Sequence, residues 1–391
     1  MLTSYAQKNN ENSRLKNAWR KHVVVASRCS ADVTIEGKTY CHFASNDYLN
    51  ISQHPAVKHA FKQAVDVYGL GSGSSPLVSG YYQSQRDFEE SFADFVQRDK
   101  ALFFNSGYHA NLSVFQTLTN RHGAIFSDKY CHASLLDGIQ LSRARHIRYP
   151  HHDMDSLEER LKKEVDTEAI VVTESIFSMH GDVSDLTRLS VVCKENNAFL
   201  CLDDAHGLGV LGESGRGACE YFGLSPQDVP CLIHPLGKAF GGMGAMVSGS
   251  HTLIDALVQQ SRTYRYSTML PPAIAAASLA VLEVLRSESW RRDVLHQNIA
   301  LFNQLANEYG IPLCSYDLTP IRSVVVGSND HALGVYHKLL AKNYFVSCIR
   351  PPTVPENTAR LRISLCSEHS EDNIRALMQD LAITYHESIR S

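Results

Sequence analysis

Between residues 123 and 250 the chain repeats one pattern. Short apolar runs, "GAIFSD" (123–128), "EAIVVTES" (168–175), "AFLCLDD" (198–204), "VPCLIHP" (229–235) and "GAMVSGS" (244–250), are separated by stretches with helical spacing. Such alternation predicts a mostly parallel sheet with helices packed on it. The near-continuous apolarity of the runs suits strands covered on both faces. The expected fold class is therefore α/β, a mostly parallel central sheet covered by helices. From about residue 290 the pattern changes. A long helix (289–309) leads to "IRSVVVG", a helix at 330–343, "YFVSCIR", "ARLRISL" and a last helix, which reads as a smaller α+β domain. At 391 residues the chain exceeds one ordinary core. The expected division is an N-terminal helix and strand segment (1–45) packing with the small domain, a large domain (46–288) and a C-terminal α+β domain (289–391).

Composition narrows the function. A formal net charge of −4 argues against a nucleic-acid partner, which would favour a basic surface. No apolar stretch approaches the ~20 residues of a membrane span, and the polar N-terminus lacks a signal-peptide core, so a cytoplasmic location and no membrane partner are expected. The ten cysteines include no C-x-x-C pair, so no metal ligand set is expected.

Four stretches carry candidate chemistry. In "CLDDAHGLGVLG" (201–212) an apolar strand ends in Asp203 and Asp204, with His206 close behind. The carboxyl ends of parallel strands are where open α/β sheets bind ligands, although a strand-end Asp often only caps the next helix. "TESIFSMHGD" (173–182) brings Ser178 out of a strand into a turn, and "NSGYHAN" (105–111) passes from a strand through Ser-Gly into a helix. Backbone N–H groups at such a helix start suit a phosphate. His132 lies in "SDKYCHASLLDG", and Lys238 lies in "HPLGKAF" between the small residues Gly237 and Ala239. The chain has no P-loop, no full dinucleotide fingerprint and no H-E-x-x-H. One chemistry uses these parts together: an aldehyde cofactor with a pyridine ring and a phosphate. A lysine can form its Schiff base, a carboxylate can keep its ring nitrogen protonated, and a helix start can take its phosphate.

Taken in order, nine segments carry a family resemblance. They are "SNDYLN" (45–50), "GSGSSPLVSGYY" (71–82), "NSGYHAN", "CHASLLDG", "TESIFSMHGD", "DDAHGLGVLGESGRG" (203–217), "GKAFG", "YSTMLPP" (266–272) and "RPPTVPENTARLRIS" (350–364). With them the chain resembles the α-oxoamine synthases, acyltransferases of fold type I that use pyridoxal 5′-phosphate. The "RPPTVP" segment looks most like the biotin-pathway branch. The resemblance implies L-alanine and a pimeloyl thioester, carried by CoA or an acyl carrier protein, as substrates. It also implies a homodimer with shared active sites. By position, it implies that Lys238 holds the cofactor and moves the substrate's protons, that Asp203 pairs with the pyridine nitrogen, and that His132 stacks on the ring. His206 and Ser178 would lie near the ring hydroxyl, with Gly107 and Tyr108 at the phosphate. Thr268 would reach the neighbouring subunit's cofactor. Arg362 would hold the amino-acid carboxylate, Asn46 would lie near the substrate, and Arg20 would meet the acyl substrate's carboxylate. Another α-oxoamine synthase, such as a glycine C-acetyltransferase or a long-chain aminoketone synthase, shares these motifs, and an inactive binding protein is a further alternative.

One position departs from the family. Three residues before the lysine the family usually has threonine, whose hydroxyl binds the phosphate, and here the residue is Pro235. Proline offers neither hydroxyl nor N–H. The phosphate's remaining candidates are His234, Ser106, the 107–108 backbone and Thr268 of a partner.

Overall fold

A computed structural model describes residues 2–164 and 167–390. The chain forms two compact units. One gathers Met1–Tyr48, Met179–Asp182 and Asp293–Ser391, and the other is Leu49–Ser178 with Val183–Arg292.

The larger unit is built on a seven-stranded sheet. Its strands are β1 (Lys100–Phe104), β2 (Ala124–Asp128), β3 (Arg145–Tyr149), β4 (Ala169–Glu174), β5 (Phe199–Asp203), β6 (Cys231–Pro235) and β7 (Ala245–Gly249), in the spatial order β1-β7-β6-β5-β4-β2-β3. The run β6-β5-β4-β2-β3 is parallel, and β7 alone is reversed, pairing antiparallel with β1 and β6. The expected mostly parallel α/β sheet is therefore present. Strands β2, β4 and β7 are buried along their whole length, as two-sided cover requires. β3 is the exception. Its sequence, "RHIRY", is largely exposed because it lies at the sheet edge, and it therefore carries no apolar run.

This topology sets the site. Because β1, β2, β4, β5 and β6 point the same way, the turns that follow them leave one edge of the sheet together. Those turns begin at residues 105, 129, 175, 204 and 236. The helix Gly107–Leu118 starts directly after β1, capped by Ser106, whose hydroxyl accepts the His109 N–H at 3.2 Å. The helix Ala133–Ser142 starts after β2, capped by His132.

The smaller unit has two sheets. One orders Val25–Cys29, Asp32–Ile35, Lys38–His42 and Tyr344–Phe345. The other places Ala359–Ser364 between Ile321–Gly327 and Ser347–Ile349, all antiparallel. The segment "YFVSCIR", expected as one strand, thus serves two sheets, breaking at the buried Val346. Ala359–Ser364 is buried at every residue, with Leu361 and Ile363 packed in the same core as Leu339, Leu377 and Leu381.

Candidate active site

Asp203 ends β5 and is only 4% exposed. One of its oxygens accepts the Asn111 side-chain amide at 3.0 Å, and the other accepts the Ala205 N–H at 3.0 Å. Two donors, one on a helix and one in its own turn, fix the carboxylate at the sheet edge. Asn111 also donates to the Ser134 hydroxyl at 2.9 Å, and that hydroxyl lies 2.7 Å from His132 Nδ1. With its oxygen accepting from Asn111, Ser134 donates to Nδ1. His132 Nδ1 also accepts the Ser134 N–H at 3.2 Å, so its proton belongs on Nε2. Burial holds this imidazole below its ordinary range. Asp203 opposes that shift and Lys238 adds to it. Asp203 and Lys238 are therefore both within electrostatic reach of His132. Lys238 is half-buried, in the turn after β6, beside the exposed Gly237. His206 is buried three residues beyond Asp203, and Ser178 is half-buried in the turn after β4.

Glu174 belongs to this group. It ends β4 and pairs in register with Asp203 across the parallel ladder. Paired residues on neighbouring strands lie about 5 Å apart, where two full negative charges would repel by about 3 kcal/mol at an effective dielectric near ~20. Glu174 Oε1 accepts the His132 backbone N–H at 2.5 Å. Burial, and then the charge of Asp203, push the Glu174 carboxyl well above the usual carboxylate range, against the opposing pull of the His132 N–H and of Lys238. Glu174, Asn111 and Ser134 lie inside the sequence motifs, where nothing marks them individually. Their signal is the register and the helix face, which appear only on folding.

The helix start at Gly107 forms the other end of the site. Here Pro235 meets Gly107 directly. A Cβ on Gly107 would fall 2.6 Å from Pro235 Cγ and 2.9 Å from its Cβ. Gly107 is half-buried, while Tyr108 is 45% exposed and its hydroxyl donates to Asp137. Proline is tolerated at this place because Pro235 lies beyond the β5 pairing, which runs from Cys231 to Ile233, and pairs with Ala245 on β7. Among the phosphate candidates, His234 is removed. Strand alternation turns it away from Pro235 and Gly107, and it is fully buried, its ring 5.4 Å from Phe92 and its Nε2 3.6 Å from Asp204. Thr268 is exposed, and its carbonyl accepts the Asn105 side-chain amide at 2.7 Å.

Asp204 differs sharply from its neighbour. It is 1% exposed, and its carboxylate accepts the Ala218 N–H at 2.9 Å. A Cβ at Gly207 would fall 2.0 Å from one of its oxygens, and a Cβ at Gly217 would fall 1.9 Å from the other. These glycines of "DDAHGLGVLGESGRG" therefore make room for a buried structural carboxylate.

In the smaller unit, Arg362 is not the solvent-facing strand arginine its alternation with Leu361 and Ile363 allows. It is 5% exposed. Both terminal nitrogens donate to Asn46 Oδ1 at 3.1 Å, and further bonds run to the Ser364 and Tyr48 hydroxyls at 3.0 and 3.4 Å. Arg362 and Asn46 are thus brought together. Arg20 is placed elsewhere in this unit. It is exposed and donates to Thr353 Oγ1 at 2.8 Å and to the Arg350 carbonyl at 3.4 Å.

A buried carboxyl group at a sheet edge, an imidazole with an accepting Nδ1, a lysine and a helix start with a close-fitting glycine suit a charged pyridine ring carrying an aldehyde and a phosphate. Residues 38–381 match the aminotransferase class I and II family, and the chain belongs to that family. It is 44% identical over 383 residues, 97% of this chain and 96% of the relative, to an 8-amino-7-oxononanoate synthase of Saccharophagus degradans. It is also similar to the solved 8-amino-7-oxononanoate synthase of Francisella tularensis, with 37% identity, a TM-score of 0.79, and 89% and 99% of the two chains covered. A serine palmitoyltransferase from S. paucimobilis, solved with bound PLP, superposes with a TM-score of 0.94 over 100% of both chains at 25% identity.

Proposed function

We propose that this chain is a pyridoxal-phosphate-dependent 8-amino-7-oxononanoate synthase, joining L-alanine to a pimeloyl thioester with loss of carbon dioxide in biotin biosynthesis. The observation that carries the reading is the lysine, carboxylate and imidazole set at one sheet edge, in a chain similar over almost its whole length to proteins of that activity. The cofactor, when bound, supplies the electron sink for a carbanion at the amino acid's α-carbon.

The residues do the rest. Lys238 holds the cofactor covalently, and its amine then takes and returns the α-proton. Asp203 would pair with the pyridine nitrogen and hold that nitrogen's proton. His132 would lie on the ring face, and with Nδ1 accepting it would add no charge there. His206 and Ser178 are assigned to the ring hydroxyl, and the Gly107 and Tyr108 N–H groups to the phosphate. Arg362, with Asn46, takes the carboxylate of alanine. Arg20 takes the far carboxylate of the pimeloyl chain. The acyl carrier is CoA or an acyl carrier protein.

A homodimer completes the site, with Thr268 of one copy serving the other's phosphate. Leu70, Leu77, Val78 and Tyr266 are 88%, 51%, 79% and 67% exposed, an apolar surface that a second copy would cover. The segments bearing it are tied together, Ser72 Oγ donating to the Met269 carbonyl at 2.7 Å and the Met269 N–H to the Ser74 carbonyl at 3.0 Å. Ten free cysteines suit a reducing cytoplasm.

The test is to offer the purified, cofactor-loaded protein alanine or glycine with pimeloyl or acetyl thioesters. Turnover with alanine and pimeloyl-CoA supports the assignment, as does rescue of a biotin-requiring strain lacking this step. Turnover with glycine and acetyl-CoA alone would move the chain to a sister activity. The match to serine palmitoyltransferase keeps a longer acyl chain as the second reading, so a palmitoyl thioester belongs in the same panel.

A further inference from the structure

We propose that Glu174 is a positioning residue of this site, held as a neutral acid whose carboxyl group sets His132 and leaves the negative charge to Asp203. The proposal rests on the reading of Asp203 and His132 as cofactor contacts.

Three features of the structure carry it. First, Glu174 and Asp203 end neighbouring parallel strands in register, both buried, at 3% and 4% exposure. Two carboxylates this close do not both ionise readily in a buried place. Second, the donors around them are unequal. Asp203 accepts Asn111 Nδ2 and the Ala205 N–H, each at 3.0 Å. Glu174 accepts the His132 N–H at 2.5 Å. Hydrogen bonds donated to a carboxylate favour its charged form, so the uneven supply of donors favours placing a proton on Glu174, the carboxyl with fewer of them. Third, that one bond reaches His132 at the residue that caps the helix Ala133–Ser142. It fixes the backbone from which the imidazole projects, while Ser134 fixes the ring.

Other charged neighbours point the same way or are outweighed. Asp128, at the end of β2, adds to the effect of Asp203, and Lys238 opposes both. The buried Cys131 thiol, next to His132, is itself pushed up by burial, so it adds no charge. A neutral Glu174 has a consequence at the reacting groups. It does not compete with Asp203 for the proton of the pyridine nitrogen. It also does not hold Lys238 in its charged form, which a lysine that must take a proton has to leave.

The test uses the full-length protein with Glu174→Gln and Glu174→Ala. The first readout needs neither cofactor nor substrate. The infrared spectrum of the protein at neutral pH is expected to contain a protonated-carboxyl carbonyl band that disappears in Glu174→Gln. If the two spectra match in that region, the neutral-acid assignment is wrong. The second readout is kinetic. Glu174→Gln keeps the acceptor and the neutral charge, so kcat is expected to stay within about threefold of the parent. Glu174→Ala frees the His132 backbone, so kcat is expected to fall by about tenfold or more with the KM for the amino acid little changed. The circular-dichroism band of the bound cofactor should change in the same variant. A Glu174→Gln variant that loses more than about thirtyfold in kcat shows that a charged glutamate is needed and overturns the proposal. A Glu174→Ala variant with parental kinetics and dichroism overturns the positioning role. If Glu174→Ala does not fold, Glu174→Gln and the infrared difference still decide the charge. Failure of the cofactor reading would look different: the parent itself would bind no cofactor, with the infrared result standing on its own.

Discussion

At the proposed ring end of the site Asp203 takes bonds from Asn111 and Ala205, and His132 is held through both Ser134 and Glu174. At the proposed phosphate end Gly107 meets the ring of Pro235, and the groups on offer are backbone N–H donors at a helix start. The ring end works through side-chain chemistry. A carboxylate, an imidazole and an amine each have properties no other residue supplies, so the types are visible in a bare sequence. The phosphate end works through shape. What matters there is how closely two backbones approach, and a glycine or proline says little about that until the partner strand is in place.

The comparison can be broken most forcefully at Lys238. Lys238→Ala should lower turnover by about four orders of magnitude and abolish the visible absorption of the cofactor-loaded protein after dialysis. Retention of both would remove the lysine from the chemistry. Next come the two neighbouring aspartates. Asp203→Ala should cost about a hundredfold or more in kcat, a kinetic loss well beyond the modest loss of stability from removing the acceptor of the Asn111 amide and the Ala205 N–H. Asp204→Ala should instead unfold the protein more easily, by about 1–3 kcal/mol, because the Ala218 N–H loses its buried acceptor. Urea denaturation alongside kinetics separates the two, and a reversed pattern would mean the roles are exchanged.

Smaller effects belong to the phosphate end. Gly107→Ala puts a methyl group 2.6 Å from Pro235 Cγ. It should weaken cofactor affinity by about tenfold while leaving kcat at saturating cofactor nearly intact. Adding Pro235→Ala removes the closest atom and should recover part of the loss, and equal affinities for single and double variants would show that the contact is irrelevant. The mildest change is Pro235→Thr. A hydroxyl there should tighten cofactor binding by a few-fold to about tenfold, since one added hydrogen bond contributes about 1 kcal/mol net. Titration of the apo-protein checks this, and weaker binding would mean that the proline's packing on Gly107 outweighs a hydroxyl.

Much of this molecule was legible before folding. The alternating apolar runs of 123–250 forecast the central sheet, and the change near residue 290 forecast the α+β pattern of the C-terminal part. Edge strand β3 escaped because half of it faces solvent, and reversed β7 escaped because an apolar run carries no direction. Among site candidates, Lys238 and Asp203 stood out by type and position, His132 gained weight only through the family resemblance, and the structure brings the first two within electrostatic reach of His132. His234 stood beside Pro235 in the chain but faces the other side of its strand, against Asp204 and Phe92. The glycines after Asp203 carry no visible role in the sequence, and Gly207 and Gly217 make room for Asp204.

The sequence by itself determined the layer architecture and the chemical types gathered at the strand ends, because periodicity and residue identity are local properties. Only the tertiary structure decided which of two adjacent aspartates faces the imidazole, which carboxyl pairs with Asp203, and which ring closes on Gly107. Those are matters of register between strands distant in sequence. A shift of one residue would turn each side chain to the opposite face.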